Sequence, residues 1–138
     1  MVRFILTTIA LTLLPTLALC DITYFSYAFA KQYAETIPRK ALEKSPSWNG
    51  ESENPPLSAR KAIKLANEVK DTVVKDSKEI KWKLREASLV PTDDEKWYWL
   101  VYYEGVAQGF VISGIPPHLR LVVLMDGTVI KPEVNDYP

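Results

Sequence analysis

The chain has little of what enzyme chemistry usually draws on. Its 138 residues include one cysteine and one histidine. Cys20 falls in a stretch that reads as a leader, which leaves His118 with no thiol and no second imidazole. Neither a zinc site nor a cysteine–histidine pair can then be assembled, and a lone loop histidine reads as solvated. There is no Gly-x-Ser-x-Gly elbow and no glycine loop of the kind that cradles phosphates. Asp93-Asp94-Glu95 gathers three acids in one turn but lacks the spaced ligands and the glycine of a calcium loop, so it too reads as solvated. The expectation is a protein that is not an enzyme, with no cofactor and no metal.

An excess of either charge is also lacking. Lys and Arg number 17, as do Asp and Glu, and nowhere do five like charges follow one another. A surface that grips phosphate backbones needs a clustered excess of Lys and Arg, so nucleic acid is not an expected partner. A composition of 47% hydrophobic and 25% charged residues is that of one ordinary globular domain.

What is present begins with residues 1–20. Met1-Val2-Arg3 gives a short basic start, Phe4 to Leu14 is apolar but for threonine, and Pro15 breaks the run ahead of Thr16-Leu17-Ala18-Leu19-Cys20. This is the three-part grammar of a secretory signal peptide. Ala18 and Cys20 are small residues at the third-last and last positions, which makes cleavage after Cys20 the first choice. Thr16-Leu17-Ala18 offers a second site, after Ala18. A lipoprotein signal would acylate Cys20, although Leu19 is larger than the residue usual before such a cysteine. The apolar run is about as long as a minimal membrane span. Membrane attachment is therefore expected only if the leader stays uncleaved or Cys20 is lipidated. Cleavage after Cys20 leaves a periplasmic or secreted chain with a net charge of −1. That chain has no cysteine, so packing alone must hold it together.

The remainder is organised around Trp97-Tyr98-Trp99-Leu100-Val101-Tyr102-Tyr103-Glu104. Seven consecutive aromatic or aliphatic residues without Ala, Gly or Pro predict a strand. Trp97, Trp99, Val101 and Tyr103 then share one face, and Tyr98, Leu100 and Tyr102 the other. Both faces are apolar, which predicts a central strand covered on two sides. Ahead of it, Lys81–Val90 predicts a neighbouring strand. Its apolar residues change face between Leu84 and Ala87, which implies a bulge near Arg85-Glu86. Leu119–Met125 is a third strand, and Asp126-Gly127 signals a type I′ turn into Thr128-Val129-Ile130.

One helix is clearly marked. Pro55-Pro56 forbid an earlier start, Ser58 is an N-cap, and Leu57 can staple onto Ala62. Ala59, Ala62, Ile63, Ala66, Val69 and Val73 form one stripe, whose alanines predict close approach to the sheet. Between the second and third strands, Gly105–His118 is unusually apolar. Val106, Phe110, Ile112 and Ile115 are its candidate partner-contact residues, on the reading of an exposed docking loop. The plainer reading is a loop folded back over the sheet edge, with Gly109–Ser113 open to extending the hairpin as a strand.

The other segments are less regular. Asp21–Phe29 predicts a short strand, followed by irregular or helical chain to Ile37, because Phe25, Phe29, Tyr33 and Ile37 also fall four apart. Phe25 and Phe29 either cover the sheet or face a membrane or partner. Ser45–Pro56 is punctuation, with Trp48 as a plug over the core or an exposed contact. Lys131–Pro138 is expected to trail off.

The run Pro55-Pro56-Leu57-Ser58-Ala59-Arg60-Lys61-Ala62-Ile63, the strand Trp97–Val101, and Leu121-Val122-Val123-Leu124-Met125-Asp126-Gly127-Thr128-Val129 together resemble the PepSY and PepSY-like family of small secreted bacterial domains. Two departures stand out: Asp126 and Gly127 are adjacent, and Gly105–His118 is a long insertion. The resemblance implies an α+β fold, one main helix packed on a small antiparallel sheet of three to four strands. The resemblance covers residues 55–131; beside it the residues themselves give a leader over 1–20, a covering segment over 21–54 and a tail over 132–138. It further implies a non-enzymatic binding module that modulates a secreted peptidase or another envelope protein. No family site residue maps onto this chain. The alternative is a structural, self-associating envelope protein.

Overall fold

The computed structural model describes residues 21–51 and 54–138; the leader expected over 1–20, with Cys20, lies outside them. The architecture is α+β, with two antiparallel three-stranded sheets and one main helix. The main sheet joins β3 (Ile80–Pro91), β4 (Trp97–Ala107) and β5 (His118–Leu124) in that order. The central strand is the one its unbroken apolar run predicts. Trp99, Val101 and Tyr103 are buried on one face beneath helix α2 (Ala59–Val73), and Tyr98 is buried on the other. Leu100 and Tyr102 are only half-covered.

Helix α2 begins where the N-cap signal places it, with the Ser58 hydroxyl accepting the Lys61 N–H at 3.3 Å. Ala62 and Ala66 are fully buried against β4 and β5, so the helix rests closely on the sheet. Ile63 is half-buried at the margin of the stripe, and Leu65 packs against the core instead. Two polar groups tie this layer down. Trp99 donates its indole N–H to the Leu57 carbonyl at 2.9 Å, and Tyr103 donates its hydroxyl to Asn67 at 2.7 Å.

The bulge lies in β3 where the change of face implied it. Leu84 pairs with Tyr103 and Glu86 with Tyr102, leaving Arg85 without a partner. That extra residue returns Ala87 and Leu89 to the helix side, where they pack on the main core. The Asp126-Gly127 turn differs from expectation. Gly127 alone has positive φ, at 90°, and its N–H donates to Leu124 at 2.9 Å. Type I′ would need positive φ at two residues; this is a type I turn followed by a left-handed glycine. A Cβ on Gly127 would also meet Leu65 at 3.4 Å. Beyond the turn, Thr128–Ile130 makes backbone bonds to Val122 and Leu124 and one bridge, Val123 to Val129, rather than a full strand.

Two expectations about the flanks are corrected. The chain to Ile37 is neither irregular nor helical. β1 (Ile22–Ala28) and β2 (Lys31–Ile37) form a hairpin in which Ile22 pairs with Ile37 and Ala28 with Lys31. Its two-residue turn is Phe29-Ala30, with φ of 51° and 58°. This is primed-turn geometry without the Asn or Gly that would announce it. The residues after Lys131 do not trail off: β6 (Glu133–Asp136) pairs antiparallel with β2, and Lys31 and Asp136 form an ion pair across the two strands. After β2, Pro38 caps a short helix α1 (Arg39–Lys44).

The β1–β2–β6 sheet covers the free edge of β5. Outward-facing amides along that edge are taken up by side chains and turn backbone. Arg120 N–H donates to Ser26 Oγ at 2.8 Å, Val122 N–H to Glu35 Oε2 at 2.8 Å, and Leu124 N–H to the Thr128 carbonyl at 2.8 Å. Residues of this sheet flank both sides of the main one: Ala28 and Tyr33 join the helix-side core, and Ile37 and Tyr24 the core around Tyr98.

Candidate functional site

The most exposed apolar side chains of the described residues gather where β4 passes into β5. The base of loop 108–117 is tightly held. Gly105 N–H donates to the Pro117 carbonyl at 2.8 Å, and Gln108 N–H to the Glu79 carbonyl at 2.7 Å. A Cβ on Gly105 would lie 3.0 Å from Ile80 and 3.1 Å from Pro117, so only glycine permits this close approach. Past the base the chain turns outward. Phe110 is 50% exposed, Val111 93% and Ile115 83%. Gly105 to Pro117 carries no charged side chain, and Gln108 and Ser113 are its only polar ones, so this surface is uncharged and largely apolar.

The four residues proposed from sequence are not equivalent. Phe110 and Ile115 face solvent. Ile112 turns inward and packs on the main core, which pins the middle of the loop. Val106 belongs to β4, paired opposite Lys81 and half-buried. Gly109–Ser113 is not a strand. Val111, the most exposed of these side chains, was not among the candidate contacts, because an apolar loop sequence does not say which of its residues turn outward.

Aromatic residues from other elements extend the same end. The Tyr27 ring lies 6.0 Å from His118 and 4.9 Å from Tyr137, both edge-on. The β1–β2 turn, the residues after β6 and the base of the loop therefore meet here. Phe29 at that turn and Tyr137 are exposed. His118 is a correction: it is buried, not solvated, as the first residue of β5. Its Nδ1 donates to the Pro116 carbonyl at 3.1 Å, and the rings of Tyr27 and Tyr102 flank it. No carboxylate or nucleophile is bonded to it among the described residues.

The opposite end holds an open cavity of about 570 Å³, floored by Ile22, Ile37 and Leu42 and rimmed by Arg39, Asp93 and Asp94. Two of the cations around it are already engaged, Arg39 with Glu43 at 2.7 Å and Lys96 with the Ser45 carbonyl at 2.6 Å. A smaller cavity of about 160 Å³ lies on the uncovered face of the main sheet, between Tyr102, Leu100, Glu86 and Arg120. Among the described residues no three His, Cys, Asp or Glu side chains come together as a metal site. No helix among them is long and apolar enough to cross a membrane. Trp48 stacks edge-on against Trp97 at 5.0 Å, closing the core beside the β3–β4 turn.

Glu35 is the one buried acid among the described residues. It is 1% exposed, and loss of hydration pushes its carboxyl up to about 8, against a smaller lowering by the Val122 N–H. It lies outside the lining of both cavities. Sequence reasoning missed it because a glutamate in an apparently irregular segment gives no sign of burial.

Comparisons with protein-family models, with curated proteins and with solved structures returned no match.

Proposed function

We propose that this protein is an exported, non-enzymatic binding module that docks a secreted peptidase or another envelope protein through its apolar end. The observation that carries this reading is the exposure of Val111 and Ile115 on a loop whose base is clamped. Flexible apolar segments usually bury themselves. Here a glycine contact and Ile112 hold the loop so that its tip stays in water, as a preorganised contact surface would be. Burying Phe110, Val111 and Ile115 in a partner would contribute about 1.5–3 kcal/mol each, before the cost of association. The resemblance to PepSY-like domains supports a partner of the peptidase class. The leader supports export.

The test compares capture from the cell envelope by the wild-type chain and by Val111→Ser/Ile115→Ser. Both positions are exposed, so the variant should fold normally. The reading predicts a partner retained by the wild type and lost by the variant, which rebinds as a purified protein. Equal capture by both chains would overturn it.

A second reading, self-association, is favoured by the β1 edge. β3 is blunted by Lys81, Lys83, Arg85 and its bulge, β5 is covered, and β6 is short and charged. β1 has seven residues with no charge, proline or bulge; apart from the Arg120 guanidinium on the Phe25 carbonyl at 3.0 Å, it lacks the usual protections of a free edge. Light scattering distinguishes the two: a dimer broken by Phe25→Lys supports this reading, and a monomer at every workable concentration removes it.

A further inference from the structure

We infer that Glu35 is a proton-dependent latch: the neutral carboxyl holds the β1–β2–β6 sheet on the edge of the main sheet, and its ionisation releases that hold. The geometry carries the inference. Main-chain pairing does not join the two sheets between β1 or β2 and β5. The amides of Arg120 and Val122 meet side chains instead, Ser26 Oγ and Glu35 Oε2, each at 2.8 Å. Glu35 stands on β2 between Tyr33 and Ile37, which pack into the cores on opposite sides of the main sheet. Its carboxyl therefore sits at the centre of the junction. Its other oxygen, Oε1, is buried without a hydrogen-bond partner among the described residues.

Among the described residues no cation stands ready to neutralise it. From β1 the facing titratable group is Tyr24, its cross-strand partner, whose hydroxyl bonds that of Tyr98 on β4 at 2.6 Å. Tyr33 is its neighbour on β2. From β5, the Arg120 guanidinium is turned to the Phe25 carbonyl at 3.0 Å and to the Tyr102 ring, and His118 is held by Pro116. From β6, Glu133 and Asp136 are exposed, and Asp136 pairs with Lys31. Removing the proton therefore places a bare charge inside the junction, and burial opposes that step. The electrostatic strain is relieved when the hairpin lifts and water reaches the carboxylate.

The sign follows from proton binding. The folded chain holds this proton up to about pH 8, while the unfolded chain releases it near 4.5, so raising the pH favours opening. Unfolding of the full-length chain in urea at pH 6 and pH 9.5 should show an equilibrium constant about 100-fold larger at the higher pH. Glu35→Gln, neutral at both, should change less than tenfold. A second readout needs no variant: the Val122 amide and the Glu35 side-chain carboxyl carbon, followed by NMR in the wild type, should shift together with a midpoint near 8. Amides that bond β4 to β5 should hold until higher pH. Equal pH dependence of wild type and Glu35→Gln overturns the inference, as does a Glu35 carboxyl that titrates near 4.5.

Discussion

Ala62 and Ala66 set the distance between α2 and the main sheet, since both are fully buried where the helix crosses β4 and β5. A larger side chain has nowhere to go without moving the helix. Ala66→Leu should destabilise the fold by about 1–3 kcal/mol, read as a lower urea midpoint with an unchanged slope. Glu35 acts at the same scale with the opposite logic, because its cost appears only with charge. Its raised carboxyl gives a contribution that is intact below about pH 4.5 and lost as the pH climbs through about 8. The whole of that shift corresponds to roughly 5 kcal/mol. Glu35→Gln should therefore be more stable than the wild type at pH 9.5, measured by thermal melting, since its amide oxygen can still accept from the Val122 N–H and it carries no charge.

At the scale of elements, the strands that announced themselves were those whose own residues determine their state. β4 is apolar on both faces, β5 nearly so, and α2 carries a cap and a stripe; each was legible without knowledge of its neighbours. β2 and β6 were not. β2 buries a glutamate among its inward residues, which breaks the alternation expected of a half-buried strand. β6 is Glu-Val-Asn-Asp, exposed along its length, and is a strand only because β2 offers it an edge. The turn joining β1 to β2 hid the hairpin as well. Phe29 and Ala30 both occupy left-handed geometry, which costs a residue with a Cβ about 1–2 kcal/mol. Replacing them by Asn and Gly should remove most of that strain and raise stability by about 1–2 kcal/mol. A lower melting temperature in that variant would argue against the primed turn. The candidate site was half legible for a related reason. Composition showed an apolar loop, but only the clamp at Gly105 and Pro117 decides that Ile112 turns in while Val111 and Ile115 turn out.

For the whole molecule, the two sheets divide the work. The N-terminal sheet covers the edge of β5 and buries Tyr98 from the side opposite the helix. That leaves the end bearing loop 108–117 free of any structural duty that exposure would serve. Association through this end should be insensitive to salt, since Gly105–Pro117 is uncharged. Binding measured at low and high ionic strength should give dissociation constants within a few-fold of each other. The central claim is that Val111 stands in a protein interface in the cell envelope. A photo-crosslinking amino acid placed at position 111 tests it most directly, with position 68 on the exposed face of α2 as the control. The account predicts a discrete covalent adduct with one protein at position 111 and none at position 68; no adduct at 111, or the same adducts at both, would contradict it.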